Sequence, residues 1–153
     1  MMLKMSLITK FLALDLDERI LFIEVSILLI SVKFCLKIVS FRKLLGAIER
    51  FSSSPKVIKQ RDSAYAEKIA RAVTRSGRYF LGKNTCLPQA LVAYLLIRRR
   101  SQSVELKIGV RKGDEGILRA HAWVEDQGKI LIGGNGIDLD RYVRLHDLNR
   151  VVS

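Results

Sequence analysis

Two residues of the 153-residue chain have the type and setting for nucleophilic chemistry, Cys86 and His121. Cys86 opens the apolar run "CLPQALVAYLLIRRR", with Pro88 near its start and Arg98, Arg99 and Arg100 at its end. Such a run reads as a helix whose two ends complement its dipole. A thiol in the first turn meets unpaired N–H groups and partial positive charge, which favour the thiolate and can also receive an oxyanion. Lys83 adds to that field. The plain alternative is an inert cysteine buried at the end of a core helix.

His121 lies in "RAHAWVEDQGKIL", where His121, Trp123 and Glu125 alternate with Ala120, Ala122 and Val124. In a strand the first three share one face. A satisfied strand histidine is the plain reading of His121 taken alone. Paired with a cysteine that opens a neighbouring helix, it becomes a candidate base, and thiol and imidazole within hydrogen-bond reach give acyl chemistry. That reading expects the helix N-terminus and the sheet to pack face to face. A third group should hold the imidazole from its far side. If Gln127–Gly128 is a two-residue turn, paired residue numbers sum to 255, so Gly134 faces His121, and a one-residue slip puts Gly133 there. No carboxylate stands opposite, which leaves Asn135, Asp138, or a dyad helped by a main-chain carbonyl or water. Trp123 either walls the site or fills the core, and Glu125 is expected in solvent at the hairpin end. His146, in "RLHDL", has no feature to recommend it.

The elements that must position these residues are readable. Residues 15–39 carry acids in the first turn and no Gly or Pro, which predicts a helix, and a second fits 41–51. "SSSP" at 52–55 separates a helical part, 1–54, from a core, 55–153, of one domain. A third helix is expected over 62–76, with Ala64, Ile69, Ala72 and Val73 on one face and Lys68, Arg71 and Arg75 on another. "SGRYFLGKN" at 76–84 reads as a loop. After the Cys86 helix, "VELKIGVRK", "GILRAHAWVED" and "QGKILIGG" read as an antiparallel meander. The fold class is therefore α+β.

Composition narrows the rest. The net charge is +12, and residues 55–112 hold 14 basic and 3 acidic residues while 113–153 hold 5 and 7. A basic middle favours an acidic partner without choosing one. Cys35 and Cys86 lie 51 residues apart with no CxxC or Cys/His cluster, so neither a metal site nor a disulfide is indicated, and no cofactor motif is present. The stretch 20–39 contains Glu24, Lys33 and Lys37, and its longest charge-free run is Val25–Val32. A spanning helix wants about 20 mostly apolar residues. A cytoplasmic protein is the first reading, with membrane contact through 20–39 the second.

"TCLPQALVAYLLIRRR", "VELKIGV", "AHAWVEDQGKIL" and "YVRL", in that order, resemble the B-type leader peptidase of lasso-peptide biosynthesis, a transglutaminase-like cysteine protease. The opening "ERILFIEVSILLISVKFCLKIVSFRKL" is similar to that family's helical start. The resemblance implies a transglutaminase/papain-like core, a Cys-bearing central helix on an antiparallel sheet, Cys86 as nucleophile and His121 as base. The family often places an Asp after the second hairpin strand; here "LIGGNGIDLD" has Gly133 and Gly134, so the third role falls to Asn135, Asp138 or neither. It further implies that a ribosomal precursor peptide is cut between leader and core, freeing the core's amine for a separate lasso cyclase. In split systems a companion protein recognises the leader. With no extra module before residue 15, the chain reads as the split catalytic half, and the basic middle is expected to dock an acidic companion or leader. The N–H of Cys86 is expected to hold the oxyanion, with Asn84 a candidate second donor.

Two other classes compete. A transglutaminase-type acyl transferase uses the same acyl-enzyme with an amine in place of water. A basic binding protein for nucleic acid or anionic membrane would rest on charge alone. No recognition helix, aromatic stacking platform or phosphate loop supports nucleic acid as a partner.

Overall fold

The computed structural model describes residues 9, 12–52, 62–82, 85–100, 104–113, 116–134 and 136–144. Lys83, Asn84, Asn135, His146 and most of "SSSP" lie outside the described residues. Among the described residues four helices with defined bounds precede a sheet: α1 (Leu16–Ile38), α2 (Phe41–Ser52), α3 (Ser63–Phe80) and α4 (Cys86–Arg99). Strands β1 (Glu105–Lys112), β2 (Leu118–Asp126) and β3 (Lys129–Ile132) follow, then a 3₁₀ turn at Leu139–Arg141 and a short β4 (Val143–Arg144). The α+β expectation holds.

Helix α4 is the axis of the core. Every residue from Ala90 to Ile97 is buried, and a helix apolar all round must be enclosed on all sides. Helices α1, α2 and α3 cover part of it, and the sheet closes the rest. Helix α1 buries Val25, Ser26, Leu29 and Val32. Its Lys33 reaches across to donate to the Leu81 carbonyl at 2.8 Å, at the C-terminal end of α3. That contact gives a charged residue a place in an apolar helix.

Helix α3 starts where expected, because the Asp62 side chain accepts from the Tyr65 N–H at 3.0 Å. Its buried face is Ala66, Ile69, Ala70, Val73, Ser76 and Gly77, while Ala64 is exposed, which corrects the expected face. It also runs past the expected end at 76. Gly77 lies against α4, where an added Cβ would sit 2.5 Å from Gln89 Nε2. A glycine that reads as a loop signal is here a packing site, and the turn comes five residues later at Gly82.

The sheet order is β3-β2-β1-β4, and both β1–β2 and β2–β3 are antiparallel. The meander is as expected, but the fourth strand, from "YVRL", is not. It pairs Val143 and Arg144 with Val110 and Gly109. One face of the sheet, with Leu106, Ile108, Ala122, Val124 and Ile132, joins the helical core.

The β2–β3 turn begins in the expected register, with Asp126 opposite Lys129 and Glu125 opposite Ile130. Gln127 and Gly128 take φ of 48° and 81°, the signs of a type I′ turn. Left-handed backbone costs a non-glycine residue about 1–2 kcal/mol. Gln127→Gly should therefore raise unfolding stability by about 0.5–1 kcal/mol after its added chain entropy is subtracted. Urea denaturation checks this; a loss of stability would contradict the turn assignment.

Candidate active site

His121 and Trp123 project from the sheet face opposite α4, as the alternation with Ala122 and Val124 requires. Both are buried, and their rings stack at 6.2 Å with 17° between planes. Tyr142, just before β4, closes over them with ring centroids 5.7 Å from His121 and 6.4 Å from Trp123. Its room comes from Gly109, the β1 partner of His121, where a Cβ would lie 2.8 Å from Tyr142 Cβ and 3.1 Å from the Trp123 ring. Arg111 packs against Tyr142, its guanidinium carbon 5.3 Å from the ring centroid. Trp123 Nε1 donates to Glu125 Oε1 at 2.6 Å, so Glu125 completes the indole instead of standing free in solvent.

The far side of the imidazole is held by the main chain. His121 Nε2 lies 2.5 Å from the Gly133 carbonyl oxygen. A carbonyl only accepts, so Nε2 carries the proton and the neutral ring keeps its lone pair on Nδ1. Nδ1 has no hydrogen-bond partner among the described residues. This is the tautomer a general base needs.

A bulge explains how Gly133 gets there. The register shifts between Val124 and Glu125, pairing Val124 with Ile132, so the simple count that set Gly134 opposite His121 does not carry through. Gly133 instead lies beside Trp123, at φ 89°, where a Cβ would approach the Ala122 carbonyl oxygen to 2.6 Å and Trp123 Cβ to 2.8 Å. Only glycine fits, and its turned backbone directs the carbonyl at the ring. Asp138 is exposed, and no hydrogen bond joins it to His121 among the described residues. Asn135 lies outside them.

Cys86 is the first residue of α4 and is half-buried. Thr85, the N-cap residue, makes no capping bond; its Oγ1 accepts from Gln89 Nε2 at 2.7 Å. With Pro88 lacking an N–H, the Cys86 and Leu87 N–H groups have no acceptor among the described residues and are available to an anion. Helix α4 does pack on β2, but on the Ala122 and Val124 face, not on the face of His121 as expected. No hydrogen bond joins the Cys86 sulfur to the His121 ring. Among the described residues β3 pairs only with Val124–Asp126, so no described strand pairs with β2 beside His121 on that side.

Sequence reasoning assigned no role to Tyr142; it left open a main-chain carbonyl as the partner of His121 without assigning that carbonyl to Gly133. Gly109 was the available signal for Tyr142, since it removes a side chain directly across from His121.

Residues 28–146 match the transglutaminase-like superfamily, a span that includes Cys86, His121, Gly133 and Tyr142. The chain belongs to that superfamily, whose members are generally cysteine-type enzymes. No curated protein and no solved structure matches the chain.

Gly133→Ala tests the carbonyl's place. Strain at positive φ and contact with backbone should cost about 2–4 kcal/mol of stability, read by thermal or urea denaturation. An alanine variant as stable as the parent would contradict the geometry.

Proposed function

We propose that this transglutaminase-like chain is a cysteine peptidase that removes the leader from a lasso-type precursor peptide. The observation that carries the chemistry is the His121 tautomer fixed by Gly133, with the lone pair left on Nδ1. Nδ1 takes the proton of the Cys86 thiol, and the sulfur attacks the scissile carbonyl carbon. The Cys86 N–H stabilises the resulting oxyanion at the α4 N-terminus. The C–N bond then breaks, with Nδ1–H delivering its proton to the departing amine of the core. Water, deprotonated by Nδ1, attacks the thioester and releases the leader as a carboxylic acid and Cys86 as the thiol. The Cys86 thiol and His121 Nδ1, which share no hydrogen bond in the free chain, must come within hydrogen-bond reach in the substrate complex.

A second feature supports a peptide substrate. A cavity of about 900 Å³ lies between α3 and β3. Arg71, Arg75 and Arg78 line it at helical spacing, over a floor that includes Phe22, Ile130 and Leu131. Lys129 of β3 bonds to Glu67 of α3 at 2.5 Å across it and holds that carboxyl below its usual range. Arg71 pairs with Glu67 at 3.8 Å, while Arg75 and Arg78 have no ion pair among the described residues. Cations over apolar side chains suit an acidic, partly apolar segment, whether of the leader or of a companion bound to it. Beside β3, a sheet edge, such a segment can also pair its backbone.

Mass spectrometry of a lasso precursor incubated with the chain and its leader-binding companion tests this. Cleavage at the leader–core junction is expected, reduced at least about 10³-fold in Cys86→Ala and in His121→Ala. Binding of the precursor–companion complex should weaken steeply with salt and with Arg75→Glu. Native-rate cleavage by Cys86→Ala would refute the peptidase reading, and salt-independent affinity would refute the electrostatic docking. Transfer of the leader to an added amine in preference to water would instead assign a transglutaminase-type acyl transferase.

A further inference from the structure

Helix α1 is apolar on two faces, and only one is used. Val25, Leu29 and Val32 enter the core, while Leu16, Ile20, Ile23, Ile27, Ile30, Phe34 and Ile38 stand 49–73% exposed on the other side. A contiguous ridge of this kind marks an interaction surface. The steps between these residues are 4, 3, 4, 3, 4 and 4, the alternation that seats one helix against another. No helix among the described residues is long and apolar enough to cross a membrane. The exposed charges beside the ridge, Asp17, Glu18, Glu24 and Lys37, are mostly acidic, whereas helices that lie on anionic membranes carry Lys and Arg there.

The ridge is also close to symmetric about Ile27. Leu16 and Ile38 stand eleven residues to either side, Ile20 and Phe34 seven, and Ile23 and Ile30 four and three. Two antiparallel copies crossing at Ile27 would therefore set Leu16 over Ile38, Ile20 over Phe34, and Ile27 over itself. In that register residue numbers sum to 54, which places Asp17 opposite Lys37 at both ends. The opposed helix dipoles are favourable in the same orientation. A two-fold contact needs a self-complementary patch, and both shape and charge supply one. We infer that α1 is an antiparallel homodimer interface, with the two-fold axis at Ile27. The interface uses none of the candidate catalytic residues and does not depend on the peptidase reading.

Sedimentation equilibrium and crosslinking of the full chain test this. The parent should sediment at twice the monomer mass at micromolar concentration. Ile27→Asp should reduce it to the monomer mass with unchanged far-UV circular dichroism, since Ile27 is exposed in the monomer. Asp17→Lys and Lys37→Asp should each weaken dimerisation about three- to tenfold, and together restore it. In a background with Cys35 and Cys86 replaced by Ser, Ile27→Cys should form an intermolecular disulfide. Leu16→Cys should not, because the two copies of residue 16 would lie about 33 Å apart along the pair. A monomeric parent, or one monomeric in solution that binds phosphatidylglycerol vesicles through this face, would overturn the inference. Equal crosslinking at residues 16 and 27 would likewise overturn it, by showing parallel pairing.

Discussion

The enclosure of α4 sets the layout of this protein. Eight consecutive buried residues, Ala90–Ile97, leave the helix no solvent face, so three helices and one sheet must all pack on it. Burying a single leucine such as Leu91 contributes about 1.5–3 kcal/mol, so the chain gains much by completing the enclosure. Its consequence for function lies at the ends and on the outside. The N-terminus of α4 presents Cys86 with N–H groups that have no acceptor among the described residues, and the sheet that covers α4 turns the His121 face outward.

That outward face is organised by backbone more than by side chains. The bulge in the β2–β3 pairing moves Gly133 beside Trp123, and its positive φ aims the carbonyl at His121. A carbonyl fixes ring orientation and tautomer as a carboxylate does, but it brings no full negative charge to stabilise an imidazolium. The glycines that replace the acid expected from the family resemblance therefore leave orientation intact and change the electrostatics. Trp123 and Tyr142, in the room left by Gly109, then shield the ring, with the half-buried Arg111 guanidinium against Tyr142.

Much of this was legible in the sequence. End signals, apolar runs and alternation located the four described helices and three of the strands, because the apolar residues of α4 and the alternation of β1 and β2 respond directly to burial. The hairpin turn was readable from Gln127–Gly128. The end of α3 was not, because Gly77 serves close packing against Gln89 and not a turn. The bulge was invisible to a residue count, since a count assumes one constant register and the pairing shifts between Val124 and Glu125. The facing of the sheet was also out of reach: alternation shows which residues share a side, but not which side meets α4.

The central claim is that Cys86 and His121 act as one acid–base pair. The rate of Cys86 alkylation by iodoacetamide at neutral pH, with Cys35 replaced by Ser and a bound leader–core peptide mimic present, tests it most directly. His121→Ala should slow that reaction at least about tenfold, since the imidazole no longer takes the thiol proton. Equal rates in the parent and His121→Ala would contradict the pairing.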